Sequence, residues 1–265
     1  MHKLLVSPSR SRRFVSVIAT LSMAIQLTSS AQTDKAKSNS ELPSARDVIG
    51  RFVEAIGGKE AFQKIESQHA KGKYEMPAQG LSGTLEVLAK RPDKFSVKIN
   101  LAGFGEVLTG YNGEVGWSVN AATGPMLLDG KQLEQMREQA EFDGILHEAE
   151  NYRSMETIGK EKFEGKECYK LKLVRTSGNE STEYYDTKTG LLLGSITTQE
   201  SAVGPMEVTS IIGDYRKTSG VLFARKITQK MGPIEQVMNL TSFKENEVPN
   251  SAFEVPNEIK PLLKK

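Results

Sequence analysis

Cysteine occurs once in the 265 residues, at Cys168. One thiol cannot build an internal disulfide framework or a paired-cysteine zinc site. Without a motif of histidine or cations beside it, Cys168 reads as an inert, half-buried thiol rather than a nucleophile. His69 and His147 have no second His, Cys or Asp at metal-ligand spacing and read as ordinary strand or loop histidines. There is no G-x-S-x-G elbow and no P-loop, and Gly103-Phe104-Gly105 lacks the third glycine and the following helix of a dinucleotide fingerprint. No recognisable catalytic constellation, metal set or cofactor motif is present, so the expectation is a protein that is not an enzyme and carries no cofactor. Long apolar runs are missing too. The longest, 14–27 (FVSVIATLSMAIQL), has 14 residues, where a spanning helix needs about 20.

That run has a basic segment before it (Lys3, Arg10, Arg12, Arg13) and Ser29-Ser30-Ala31 after it. This is the layout of a secretory signal cut after Ala31. No cysteine follows to carry a lipid, so an untethered exported protein is expected. Removing those four basic side chains from 35 leaves 31 basic against 33 acidic residues, a net charge of −2. A strongly basic nucleic-acid binder is thereby excluded as the default.

Residues 32–43 (QTDKAKSNSELP) are polar and read as a disordered arm. One domain, 44–265, follows. Ser44 and Asp47 form a loose capping box, and Val48, Ile49, Phe52, Val53 and Ile56 make one apolar stripe that ends at Gly57-Gly58. A short second helix is expected over 59–66. From about residue 67 the hydrophobic period falls to two, as in Phe95, Val97, Ile99 and Leu101, or Met206, Val208 and Ile212. Turn signals such as Arg91-Pro92-Asp93, Asn112-Gly113 and Lys188-Thr189-Gly190 separate the runs. About ten or eleven antiparallel strands in a meander predict one large, strongly curved sheet. Residues 129–143 (DGKQLEQMREQAEFD) break the alternation and predict an inserted helix with a thin apolar stripe. With the N-terminal helix it would cover one face of the sheet.

Several segments together resemble the LolA-like family of periplasmic lipoprotein carriers and related lipid-binding proteins. These are the amphipathic N-terminal helix ahead of all strands, the hairpin Gly83–Phe95 with Lys90-Arg91-Pro92, the hairpin Tyr111–Asn120 with Asn112-Gly113 and Trp117, and the tail Phe253-Glu254-Val255-Pro256. The resemblance covers most of the chain after residue 31. Departures are Gly116 before Trp117, Ala121 where the carriers often have proline, and a hairpin 182–196 richer in charged and aromatic residues.

The resemblance implies a mainly β, α+β fold: an incomplete antiparallel barrel whose concave face is covered by the N-terminal helix and the inserted lid helix. It implies an apolar cavity for acyl chains, a periplasmic location and, as partners, an acylated lipoprotein or lipid, an inner-membrane donor protein and an outer-membrane acceptor protein. A monomer in transient contact with membranes is the matching expectation. In the carriers the arginine of Lys-Arg-Pro bonds the covering helices and holds the empty cavity shut; here that is Arg91. The candidates for the lining are Leu85, Val87, Phe95, Val97, Ile99, Val115, Trp117, Val119, Met206, Val208 and Ile212; the sequence leaves open which face of each strand looks inward, and a lone strand tryptophan such as Trp117 is more often a plain core residue. A sensing module that binds lipid or lipoprotein, and a filled interaction scaffold, are the competing expectations.

Overall fold

The computed structural model describes residues 42–201 and 204–264. The signal-like stretch 1–31 and the arm 32–43, apart from its last two residues, therefore lie outside the described residues. After two helices, α1 (Ala45–Ala55) and α2 (Lys59–Gln63), a first meander runs through β1 (Ser67–Met76), β2 (Leu81–Lys90), β3 (Lys94–Leu101), β4 (Gly105–Tyr111), β5 (Gly116–Asn120) and β6 (Gly124–Leu127). The lid helix α3 (Gly130–Ala140) and a 3₁₀ turn, Phe142–Leu146, interrupt it. A second meander follows: β7 (Tyr152–Phe163), β8 (Lys166–Arg175), β9 (Glu180–Asp186), β10 (Leu192–Ser201), β11 (Gly204–Thr218), β12 (Val221–Met231) and β13 (Ile234–Glu245). β1 pairs with β13 and joins the meanders into one antiparallel sheet that starts at β6 and ends at β7. Those two edge strands do not pair, so the barrel is incomplete.

The sheet has 13 strands rather than ten or eleven. One of the extra strands is β6, whose Gly124-Pro125 start reads as a turn; an edge strand tolerates proline because one side of its ladder is unused. The two short helices also end earlier than expected: α2 stops at Gln63, and α3 at Ala140, with Phe142 passing into the 3₁₀ turn.

Local chemistry sets α1. The Ser44 hydroxyl accepts the backbone N–H of Asp47, satisfying a donor that the helix leaves orphaned. Ala45, Val48, Ile49, Phe52 and Ile56 are buried against Leu171 and Leu173 of β8 and Tyr185 of β9. Each large apolar side chain buried there contributes about 1.5–3 kcal/mol. Gly57 ends the helix at φ 124°, and a Cβ there would lie 2.5 Å from the Gly220 carbonyl oxygen. Only glycine meets both demands. The Ile56 carbonyl accepts the N–H of Leu222 at 2.7 Å, tying the helix end to β12.

Register assigns each strand residue to a face. One concave-face rung runs Ala70–Val87–Val97–Thr109–Ser118–Met126. Trp117 and Val119 pair with Gly110 and Leu108 on the other face. As lining candidates both are therefore corrected, and Trp117, 1% exposed and packed on the convex side, takes the core reading instead. Val115 sits in the turn before β5, outside the ladder. The C-terminal segment runs over this convex face. Val248 donates to the Ser67 hydroxyl and accepts from Lys90 Nζ, and Phe253 and Ile259 are buried. Gly110 lies directly under the indole, where a Cβ would be 2.6 Å from Trp117 Cζ2. Gly110→Val is expected to destabilise the protein by about 2 kcal/mol through overpacking, seen as a lowered melting temperature.

Candidate functional site

The lid segment is fastened by both apolar packing and polar ties: Phe142 and Leu146 of its 3₁₀ turn are buried with Phe62, Ile65, Val221 and Phe223. The α3 stripe is thin, as its sequence predicts: Leu133, Met136 and Ala140 meet Phe95, Tyr111 and Leu128. The Gln135 carboxamide donates to the Thr198 carbonyl and accepts the Glu200 N–H, both at 2.9 Å. β9 pairs with β10 only as far as Thr197, so this side chain takes the place of a missing strand. Arg175 at the end of β8 binds Glu138 at 3.2 Å and also Glu141, both from the lid segment, while its guanidinium lies over the Tyr152 ring.

Arg91, at the end of the β2 hairpin arm, joins both helical segments. Its Nε donates to the Ile65 carbonyl at 2.7 Å and Nη2 to the Phe62 carbonyl at 3.3 Å, both just at the C-terminal end of α2. Nη1 binds the Asp143 carboxylate in the 3₁₀ turn. The guanidinium also stacks over Phe142, 4.6 Å from the ring centroid. Carbonyls at a helix end are natural acceptors for such a fork.

A third tie joins His147, left-handed at φ 51° and capping the 3₁₀ turn, to Glu183 of β9. Ring Nδ1 faces the Ile145 carbonyl at 2.9 Å, and Nε2 faces the Glu183 carboxylate at 3.1 Å. With Glu183 ionised, both partners are acceptors, so both ring nitrogens donate and the side chain is an imidazolium. Burial opposes that charge, but the Glu183 carboxylate and the two hydrogen bonds outweigh it and raise the His147 pKa. Burial likewise opposes the Glu183 charge, yet His147 and the Tyr185 and Ser181 hydroxyls hold its pKa below the usual carboxylate range. Neither residue is an ordinary loop or strand group, which corrects the expectation for His147.

The sign of the pH effect follows. The raised His147 pKa makes its contribution complete below the unfolded-state value and lost as pH rises through the folded-state value. The lowered Glu183 pKa makes its contribution complete above the unfolded value and lost as pH falls through the folded one. The tie is therefore strongest at mildly acidic pH, between the unfolded-state values of the carboxylate and the imidazole, and weakens above them. Stability measured by urea unfolding is expected to decline as pH is raised beyond the ordinary histidine range, and His147→Gln is expected to remove that slope.

Two adjoining cavities lie between lid and sheet. The smaller, about 410 Å³, is apolar at its base, with Phe62, Val87, Ala89, Phe95, Phe142 and Phe223. The larger, about 610 Å³, is bounded by α3, by Thr109, Ser118 and Met126 on one wall, and by the strands from β9 to β12 on the other. Glu138, Gln139, Tyr152, Arg175 and Glu183 border both. Of the residues expected to line a cavity, Val87 and Phe95 border the smaller one. Leu85, Val97 and Ile99 share their concave face without bordering either cavity. Met206, Val208 and Ile212 stand on the same face of β11, also outside both.

The larger cavity is not the apolar space that the sequence resemblance implies. A polar rung, Glu183–Ser195–Ser210–Gln229–Gln236, crosses five strands on the concave face. The next rung, Ile212–Ile227–Met238–Tyr74, is apolar. Sequence reading missed His147, Glu183, Arg175 and this rung. The alternation of Ser181 with Glu183 and of Ser195 with Thr197 was the available signal, but without register it could not be assigned to the inner face. Cys168 is fully buried on the opposite face beside Phe163 and Tyr184, and burial pushes its thiol pKa up. Among the described residues, no group of three or more His, Cys, Asp or Glu side chains is placed to hold a metal ion, and no helix is long and apolar enough to cross a membrane.

An open sheet of two meanders, helices over its concave face and a cleft between them define the class of fold. Solved structures share this fold. A LolA superfamily protein from Nitrosomonas europaea superposes with a TM-score of 0.53 at 14% identity, over 81% of this chain and 99% of that one. A DUF1329 family protein from Desulfovibrio piger does so with a TM-score of 0.54 at 14% identity, over 79% and 95%. The fold is LolA-like. The family model described as a domain of unknown function, DUF4412, matches residues 131–259, from α3 to the tail. No curated protein sequence matches the chain.

Proposed function

We propose that the protein is an exported, non-catalytic carrier that binds the acyl chains of a lipid or lipoprotein between lid and sheet. It would move them between membranes in the periplasm, taking cargo from an inner-membrane donor and passing it to an outer-membrane acceptor. The observation that carries this reading is the 410 Å³ pocket with an apolar base of Phe62, Val87, Ala89, Phe95, Phe142 and Phe223, beneath a lid segment whose fastenings include breakable polar ties. Exposing acyl chain to water costs about 0.8 kcal/mol per CH₂, so a carrier must wrap it in apolar surface. It must also let go, which a fully interlocked core would not allow. The LolA-like fold and the basic, apolar, small-residue layout of 1–31 support the reading.

The test is extraction. Lipid-free protein is mixed with vesicles carrying radiolabelled phospholipid or an acylated peptide and separated by flotation. Label in the protein fraction is expected, and Phe95→Asp is expected to abolish it by placing a carboxylate in the pocket. Failure to extract either label would overturn the reading.

A further inference from the structure

The larger cavity has a chemistry that acyl chains do not explain. Its walls come from concave-face positions under a helix, where apolar side chains are the rule for a covered sheet. Instead they present hydroxyls and carboxamides. Among the described residues, the side chains of Ser195, Thr197, Ser210, Gln132, Gln139 and Gln229 make no hydrogen bond to the rest of the protein. Each can donate and accept. They stand on both the lid and the sheet, so a group entering between them would be held from two sides.

Charge narrows the class. Glu138, Glu180, Glu183 and Glu200 line this cavity, and Arg175 is its one cationic lining residue. Arg175 is already engaged by Glu138 and Glu141, and the nearby His147 by Glu183. A phosphate or sulfate entering here would meet carboxylates without a free cation. A cationic head would find Glu138, Glu180 and Glu183 already paired, with Arg175, Lys172 and His147, and of the cavity's carboxylates only Glu200 without an ion pair among the described residues. An uncharged, hydroxyl-rich group suits the walls, since it can use their donors and acceptors without displacing an ion pair.

We infer that the 610 Å³ cavity is a head-group site for an uncharged, hydroxyl-rich moiety of the glycosyl type, next to the acyl pocket. This rests on the carrier reading, because the two cavities share the border formed by Tyr152, Arg175 and Glu183. A sugar head in one and acyl chains in the other would fill both with a single amphiphile. The same hydroxyl-rich chemistry could also arrive as a free saccharide, and the experiment separates the sources.

The protein is offered glucosyl-diacylglycerol, diacylglycerol or phosphatidylglycerol with identical chains, each in the same phosphatidylcholine vesicles, and in a fourth arm free maltose. Uptake of the glucosyl lipid is expected to exceed that of phosphatidylglycerol by about tenfold, the equivalent of one or two net hydrogen bonds. The double variant Thr197→Val, Ser210→Ala is expected to bring the two near parity with diacylglycerol uptake unchanged. Equal or better uptake of phosphatidylglycerol, or a preference untouched in the variant, would overturn the head-group site and leave the acyl carrier standing. Binding of maltose without uptake of any lipid would keep the saccharide site and overturn the carrier. No binding in any arm would overturn both.

Discussion

Glu183→Leu is expected to destabilise the protein by about 3 kcal/mol, the lower end of the cost of breaking a buried ion pair. The variant leaves His147 in the protein interior beside its remaining acceptor, the Ile145 carbonyl, and strips Tyr185 of its hydrogen-bond partner. His147 can relieve part of the cost by shedding its proton, which is why the lower end applies. The measurement is urea unfolding at neutral pH, read beside the His147 ring resonances. Those are expected to titrate above the ordinary histidine range in the wild type and below it in Glu183→Leu, because burial then acts without the carboxylate. The double variant Glu183→Leu, His147→Leu is expected to recover most of the lost stability, since no charge remains unpaired. A single variant as stable as the wild type would show that the pair does not fasten the lid.

Arg91→Leu is expected to separate loading from release. The guanidinium makes two hydrogen bonds to carbonyls at the end of α2 and an ion pair to Asp143. Hydrogen bonds to a charged group contribute about 1.5–3 kcal/mol each. In the proposed carrier these bonds belong to the closed, empty state and are given up when cargo enters. Removing them raises the energy of the empty state and shifts the balance toward the loaded one by about tenfold or more. Leucine can still pack against Phe62 and Phe142, so the fold should persist. The variant is expected to take up labelled lipid as well as the wild type but to deliver it to acceptor vesicles about tenfold more slowly. Unchanged delivery would remove Arg91 from the mechanism.

The fold was legible in the sequence because its signals are local. Ser44, the stripe Val48–Ile56 and Gly57-Gly58 mark α1 almost to the residue. The period-two runs and the turn dipeptides mark most of the sheet, and the failure at β6 came from a proline that an edge strand accommodates. The site was only partly legible because it depends on register between distant strands. Trp117 and Val119 alternate as cleanly as Phe95 and Val97, but the pairing of Trp117 with Gly110 puts them on the other side of the sheet. His147 and Glu183 are 36 positions apart and meet because the lid folds back over β9. The polar rung is invisible until five strands are aligned.

The central claim is that the cleft holds a lipid, and native mass spectrometry of the protein purified from its exported compartment without detergent tests it most directly. The account predicts a discrete added mass that organic solvent releases as an acylated molecule, with an uncharged, hydroxyl-rich head if the larger cavity is a head-group site. A clean apo mass that stays unchanged after incubation with vesicles would contradict it, and would make the open sheet a scaffold whose function lies on its outer surface.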